Sequence, residues 1–183
     1  RRLVSAPNSR RGWPLRKLGV EVLMKIGILS VDPGKASGIA FITWNGDHDV
    51  NPVLEWSDEV DADDYAERVR DGLKQGAEGF DVFLVVYERF TINQQTVRNS
   101  QAPYSLEQIG VLKQLCREAG YDLEKVKVQA PVDAKNMFPN PALKKLETWH
   151  RGGEGHALDA IRHALLALAR QSWIPRALLN NEK

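Results

Sequence analysis

From Ile26 onward the chain breaks into short apolar blocks whose period changes along the sequence. Ile26–Val31 is a continuous apolar run, the pattern of a strand buried on both faces. Asp32-Pro33-Gly34 interrupts it, and Gly38–Trp44 resumes as a second strand. Asn45-Gly46-Asp47 marks a turn, and Pro52–Trp56 reads as a third, weaker strand, so the opening is an antiparallel meander. Asp61, Asp63 and Asp64 offer capping acids for a helix through about Gly76, with Tyr65, Val69 and Leu73 spaced four apart on one face. Val82–Tyr87 is the strongest strand pattern and is expected to be central; it ends in Glu88. A polar loop over residues 89–103 leads to an amphipathic helix at Ser105–Ala119, stopped by Gly120. A short strand at Val126–Gln129 follows, then a short helix between Pro131 and Pro139, and another at Ala142–His150. The glycine-rich stretch 152–155 precedes a last helix, His156–Ser172. Three strands, helix, strand, helix, strand and further helices predict an α/β domain, a mixed sheet with helices on both faces.

Composition narrows the class. A length of 183 residues suits one well-buried domain, and no apolar run approaches a membrane span. The single cysteine, Cys116, excludes an internal disulfide and a multi-cysteine zinc site, which fits a reducing, cytoplasmic setting. Cys116 itself reads as a buried small residue in its helix. Residues 1–25 carry seven Lys or Arg against one acid, Glu21, a local charge of +6, which leaves −5 for the remainder within a total of +1. The expected organisation is a basic, disordered extension at 1–24, a folded domain at 25–173 and a tail at 174–183.

Three carboxylates fall where a sheet-based site would put them. Asp32 follows the first strand, Glu88 follows the strongest strand, and Asp159 lies in the first turn of the last helix. Side chains beyond strand ends converge at the ligand-binding edge of an α/β sheet. Converging carboxylates need a compensating cation, and hard oxygen ligands select Mg²⁺ or Mn²⁺ over zinc. At about 100° per residue, Leu158, Ile161, Leu165 and Leu168 share a core face of the last helix, while His156, Asp159 and His163 share another stripe. His163 is expected to pack against or orient Asp159.

These residues resemble a family. SVDPGKASGIAFITW is similar to the opening hairpin of the RuvC-type Holliday-junction resolvases, members of the RNase H-like superfamily. VVYERF resembles their second motif, and GHALDAIRHALLAL their C-terminal helix, which carries two metal-binding side chains three residues apart. The resemblance runs from about Ile28 to Leu168 in the family's order. It implies an RNase H-like fold, with three antiparallel strands followed by parallel ones, and metal-binding roles for Asp32, Glu88, His156 and Asp159. His156 stands where many members have Asp, so it adds a ligand without negative charge. The implied activity is two-ion hydrolysis of a DNA phosphodiester, leaving 5′-phosphate and 3′-hydroxyl ends. The implied substrate is a four-way junction and the implied assembly a homodimer, through the helix Ser105–Ala119.

The basic group near the scissile phosphate is open among Lys127, Lys135, Lys144 and Lys145. Phe90 either stacks on an unpaired base or packs the loop after Glu88. Asn93, Gln95 and Arg98 offer phosphate contacts on that loop, and a solvated loop has the same composition. Two alternatives to a resolvase stand beside it. One is an RNase H-like nuclease acting on RNA or other branched DNA; the other is a nucleic-acid-binding protein with a degenerate site. A bacterial cell or a phage-infected host is the expected setting.

Overall fold

The computed structural model of the chain describes residues 24–47, 50–92, 102–153 and 155–171. The basic residues 1–23, the loop residues Asn93, Gln95 and Arg98, Ser172 at the expected end of the last helix, and the tail lie outside them. In chain order the elements are β1 (Ile26–Asp32), β2 (Ser37–Trp44), β3 (Val53–Val60), α1 (Ala62–Ala77) and β4 (Val82–Glu88). There follow α2 (Ala102–Glu118), a 3-10 turn at Leu123–Lys125, β5 (Lys127–Gln129), α3 (Pro131–Met137), α4 (Asn140–Lys145) and α5 (His156–Arg170).

The five strands form one sheet in the order β3-β2-β1-β4-β5. β1 pairs antiparallel with β2 and β2 with β3, whereas β4 runs parallel to β1 and β5 parallel to β4. This is the expected α/β fold with a mixed sheet. Every residue of β1 is buried, which explains its unbroken apolar run. One sheet face, with Ile28, Ile42 and Val86, packs on Ile161, Leu165 and Leu168 of α5 and on Phe138 and Leu143. The other, with Leu29, Phe41 and Val85, packs on Tyr65, Val69 and Leu73 of α1 and on Leu112, Leu115 and Cys116 of α2. Among the described residues no helix is long and apolar enough to cross a membrane.

β4 is interior to the sheet, as expected, paired with β1 on one side and β5 on the other, and β1 is the middle of the five strands. Two expectations are corrected. β3 runs on to Val60 as an edge strand; its Ser57-Asp58-Glu59 segment is polar because that edge is only partly covered. The helix expected to reach His150 ends at Lys145. There Thr148 N–H donates to Leu143 O (3.0 Å) and Glu147 N–H to Lys144 O (3.1 Å), while Glu147 sits at φ 58°. That is a helix-ending Schellman turn with glutamate in the left-handed position usually given to glycine, so no glycine announces it. On α5, Leu158 is half-buried and packs against the cluster that holds the fully buried Ile161, Leu165 and Leu168, as expected.

Candidate active site

Parallel pairing of β1 and β4 brings their C-terminal ends to one edge of the sheet, with Val31 beside Tyr87. Asp32 and Glu88 are the last residues of those strands. The third acid arrives on α5, whose start is seated on β2. Gly38 lies opposite Asp32 in the β1–β2 ladder, and a Cβ there would fall 1.9 Å from the backbone oxygen of His156. Only a glycine leaves room for the helix to begin at that distance.

The first turn of α5 has no capping side chain of its own, and Gly155 takes φ 105°. Glu59, from β3, supplies the cap across the fold: its Oε1 accepts from Gly155 N–H at 2.7 Å and Ala157 N–H at 3.2 Å. A carboxylate also complements the positive end of the helix dipole. Nothing within the α5 segment points to Glu59. The sequence signal was the helix start without a capping residue before His156.

So positioned, Asp32, Glu88 and Asp159 each offer an oxygen, all within 4.8 Å of one another. Each carboxylate also meets a basic side chain. His156 Nδ1 lies 2.8 Å from Asp32 Oδ2, His163 Nε2 lies 2.9 Å from Glu88 Oε2, and Lys135 Nζ lies 2.8 Å from Asp159 Oδ2. Arg162 bonds the other oxygen of Asp159, donates its Nε–H to Phe138 O at 3.0 Å, and bonds Asn140. A polar cavity of about 550 Å³ opens beside these groups, lined by Lys135, Asn140, Gly155, His156, Asp159 and Arg162 among others.

Crowding of like charge shows in the electrostatics. Burial pushes the Asp32 carboxyl up to about 6, and the charges of Glu88 and Asp159 push the same way, against the bond from His156. The bond to Asp32 in turn holds His156 above the usual imidazole range, against its burial. Burial pulls Lys135 down, but Asp159, Glu88 and Asp32 more than offset that and favour its charged form. This donor set fits a hard divalent cation. Three carboxylate oxygens converge, and the most buried of them is disfavoured as an anion until positive charge arrives.

His156 borders the three acids as the partner of Asp32. His163 does not orient Asp159, as expected from the helix stripe, but meets Glu88 and, through Nδ1, Gln129 Oε1 at 2.8 Å. Lys135 and Arg162 already occupy Asp159, and a residue one turn further along α5 looks toward the ends of β4 and β5. Of the candidate lysines, the structure brings Lys135 to the acids. Lys144 instead lies over the Trp149 ring, 4.7 Å from its centroid, Lys145 is exposed on α4, and Lys127 opens β5. Phe90 is half-buried just past Glu88.

Solved structures of other proteins share this architecture. Thermus thermophilus RuvC in complex with a Holliday junction substrate matches with a TM-score of 0.59 at 18% identity, over 80% of this chain and 96% of that one. A second Thermus thermophilus RuvC structure matches with a TM-score of 0.61 at 18% identity, over 80% of this chain and 97% of that one. The chain has the RuvC type of RNase H-like fold. No protein-family model matches the sequence, and no curated protein matches it. The RuvC-type fold therefore rests on three-dimensional agreement, and the residues at its strand ends are the ones the opening motifs singled out.

Proposed function

We propose that this protein is a divalent-metal-dependent DNA endonuclease that cuts four-way junctions. The observation that carries the reading is the convergence of Asp32, Glu88 and Asp159 within 4.8 Å at the sheet edge. The RuvC-type fold supports the substrate, since one of the matched proteins is bound to a Holliday junction.

Asp32, Glu88 and Asp159 would hold the ions, with His156 as the fourth member of the set; Mg²⁺ suits these oxygens best and Mn²⁺ would substitute. Cations held there supply Lewis-acid activation of the attacking water and of the leaving 3′ oxygen. The protein's own groups position and balance charge. His156 offsets the buried charge of Asp32, and Arg162, tied to Phe138 and Asn140, fixes Asp159 on α5. Lys135 is 54% exposed along its side chain, so it can leave Asp159 and meet a phosphate oxygen of the substrate. Phe90 and Arg98 are proposed contacts for unpaired bases and phosphate, and Lys144 and Lys145 for more distant backbone. An enzyme of this kind works in the cytoplasm, on branched DNA, in a bacterial cell or a phage-infected host.

A four-way junction has two-fold symmetry, so paired cuts call for two sites related in the same way, and a homodimer provides them. The resemblance to RuvC-type resolvases makes α2 the proposed contact surface, and Tyr104 and Leu106 are exposed on it. Incubation with synthetic four-way junction, flap, duplex and RNA substrates is expected to give metal-dependent nicking of the junction above the rest. Preferential cleavage of RNA would replace the substrate, and binding without cleavage would favour the degenerate-site reading. Sedimentation showing only monomer alongside full paired nicking would remove the dimer.

A further inference from the structure

Glu88 closes β4, and a buried side chain, itself held by a second, meets it from behind. His163 Nε2 lies 2.9 Å from Glu88 Oε2, and His163 Nδ1 lies 2.8 Å from Gln129 Oε1. His163 is 0% exposed and Gln129 1%, so neither group exchanges these partners for water. Gln129 is itself anchored. It pairs with Glu88 across the β4–β5 ladder, and its backbone carbonyl accepts from Arg89 N–H at 2.7 Å. The imidazole thus joins β4, α5 and β5 at one point.

A buried imidazole is costly unless both nitrogens are satisfied, and a leucine would fill similar space without that requirement. A glutamate side chain, by contrast, has three torsions and samples many orientations when nothing holds it. We propose that His163, backed by Gln129, is a positioning residue that fixes the Glu88 carboxylate in its metal-binding orientation. The inference rests on the reading of Glu88 as a metal ligand. Nε2–H donates to Glu88 Oε2 and so holds the carboxylate that converges with Asp32 and Asp159. The Gln129 amide, with a donor and an acceptor end, holds Nδ1 and stops the ring from turning.

Mn²⁺ titration by calorimetry on the full chain tests this, together with cleavage measured across Mn²⁺ concentrations. Glu88→Gln is expected to lose Mn²⁺ binding at the site. His163→Leu is expected to bind on the order of 10–100-fold more weakly, with a matching rise in the Mn²⁺ needed for half-maximal cleavage. His163→Gln, whose amide still reaches toward Glu88 as a donor, is expected to recover part of that affinity. Gln129→Met is expected to fall between wild type and His163→Leu, and it decides the question should the leucine variant fail to fold. Wild-type Mn²⁺ affinity in Gln129→Met or His163→Leu, with binding lost in Glu88→Gln, overturns the positioning role and leaves the metal site standing. Undiminished binding in Glu88→Gln overturns the metal site, and the positioning role with it.

Discussion

At the scale of single residues, Asp32 carries the tension of the site. It is 6% exposed, it shares its surroundings with Glu88 and Asp159, and burial pushes its carboxyl up to about 6. The charged form therefore costs folding free energy, and that cost is the counterpart of an affinity for cations. Asp32→Asn removes the charge while keeping an oxygen for His156. The metal-free variant is expected to be more stable than wild type by on the order of 1 kcal/mol, a rise of a few degrees in Tm for a domain of this size. Calorimetric scans with and without Mg²⁺ check it: wild type gains from the metal, the variant does not, and cleavage is abolished while junction binding persists. A metal-free variant less stable than wild type would show that the carboxylate is not disfavoured where it lies. Asp32 was legible in the sequence as the break after the first apolar run, and so was Glu88. Arg162 and Gln129 were not, because their roles depend on partners 22–34 residues away in sequence that meet only through the helix–sheet packing.

At the scale of elements, the site depends on where α5 starts. Two contacts set that point: the gap at Gly38 and the remote cap from Glu59. Gly38→Ala puts a methyl group against the His156 carbonyl, which must move. The expected loss is about 1–3 kcal/mol of stability by urea unfolding, with cleavage reduced further than that loss alone explains, because His156 and Asp159 move with the helix. Glu59→Ala removes the acceptor for two backbone N–H groups, for an expected loss of about 1 kcal/mol. Faster hydrogen exchange at the first turn of α5 would locate that loss, and unchanged exchange there would contradict the capping role. Periodicity was enough to find α5 and its functional stripe, since 3.6-residue spacing is a local property. It was not enough to find the cap on another strand, nor the end of α4, where Glu147 adopts the left-handed turn that glycine usually marks. His163 was placed on the correct stripe and given the wrong partner, because a stripe fixes a direction but not the strand beneath it.

At the scale of the whole molecule, the sheet gathers groups from β1, β4 and α5 at one edge, and helices packed on both of its faces support that edge. The α/β architecture was readable from the order of apolar blocks, whereas the position of β1 at the centre was not. Five strands leave two neighbours of comparable apolar character, and only pairing decides which lies in the middle. The agreement with RuvC structures concerns this framework; the chemistry stands on the acids. The most direct measurement is nick mapping on all four strands of a synthetic four-way junction, with Mg²⁺ and with a chelator, for wild type and Asp32→Asn. Paired nicks at symmetry-related positions are predicted, present only with Mg²⁺ and absent in Asp32→Asn. Nicking that survives chelation, or that continues undiminished in Asp32→Asn, would contradict the account.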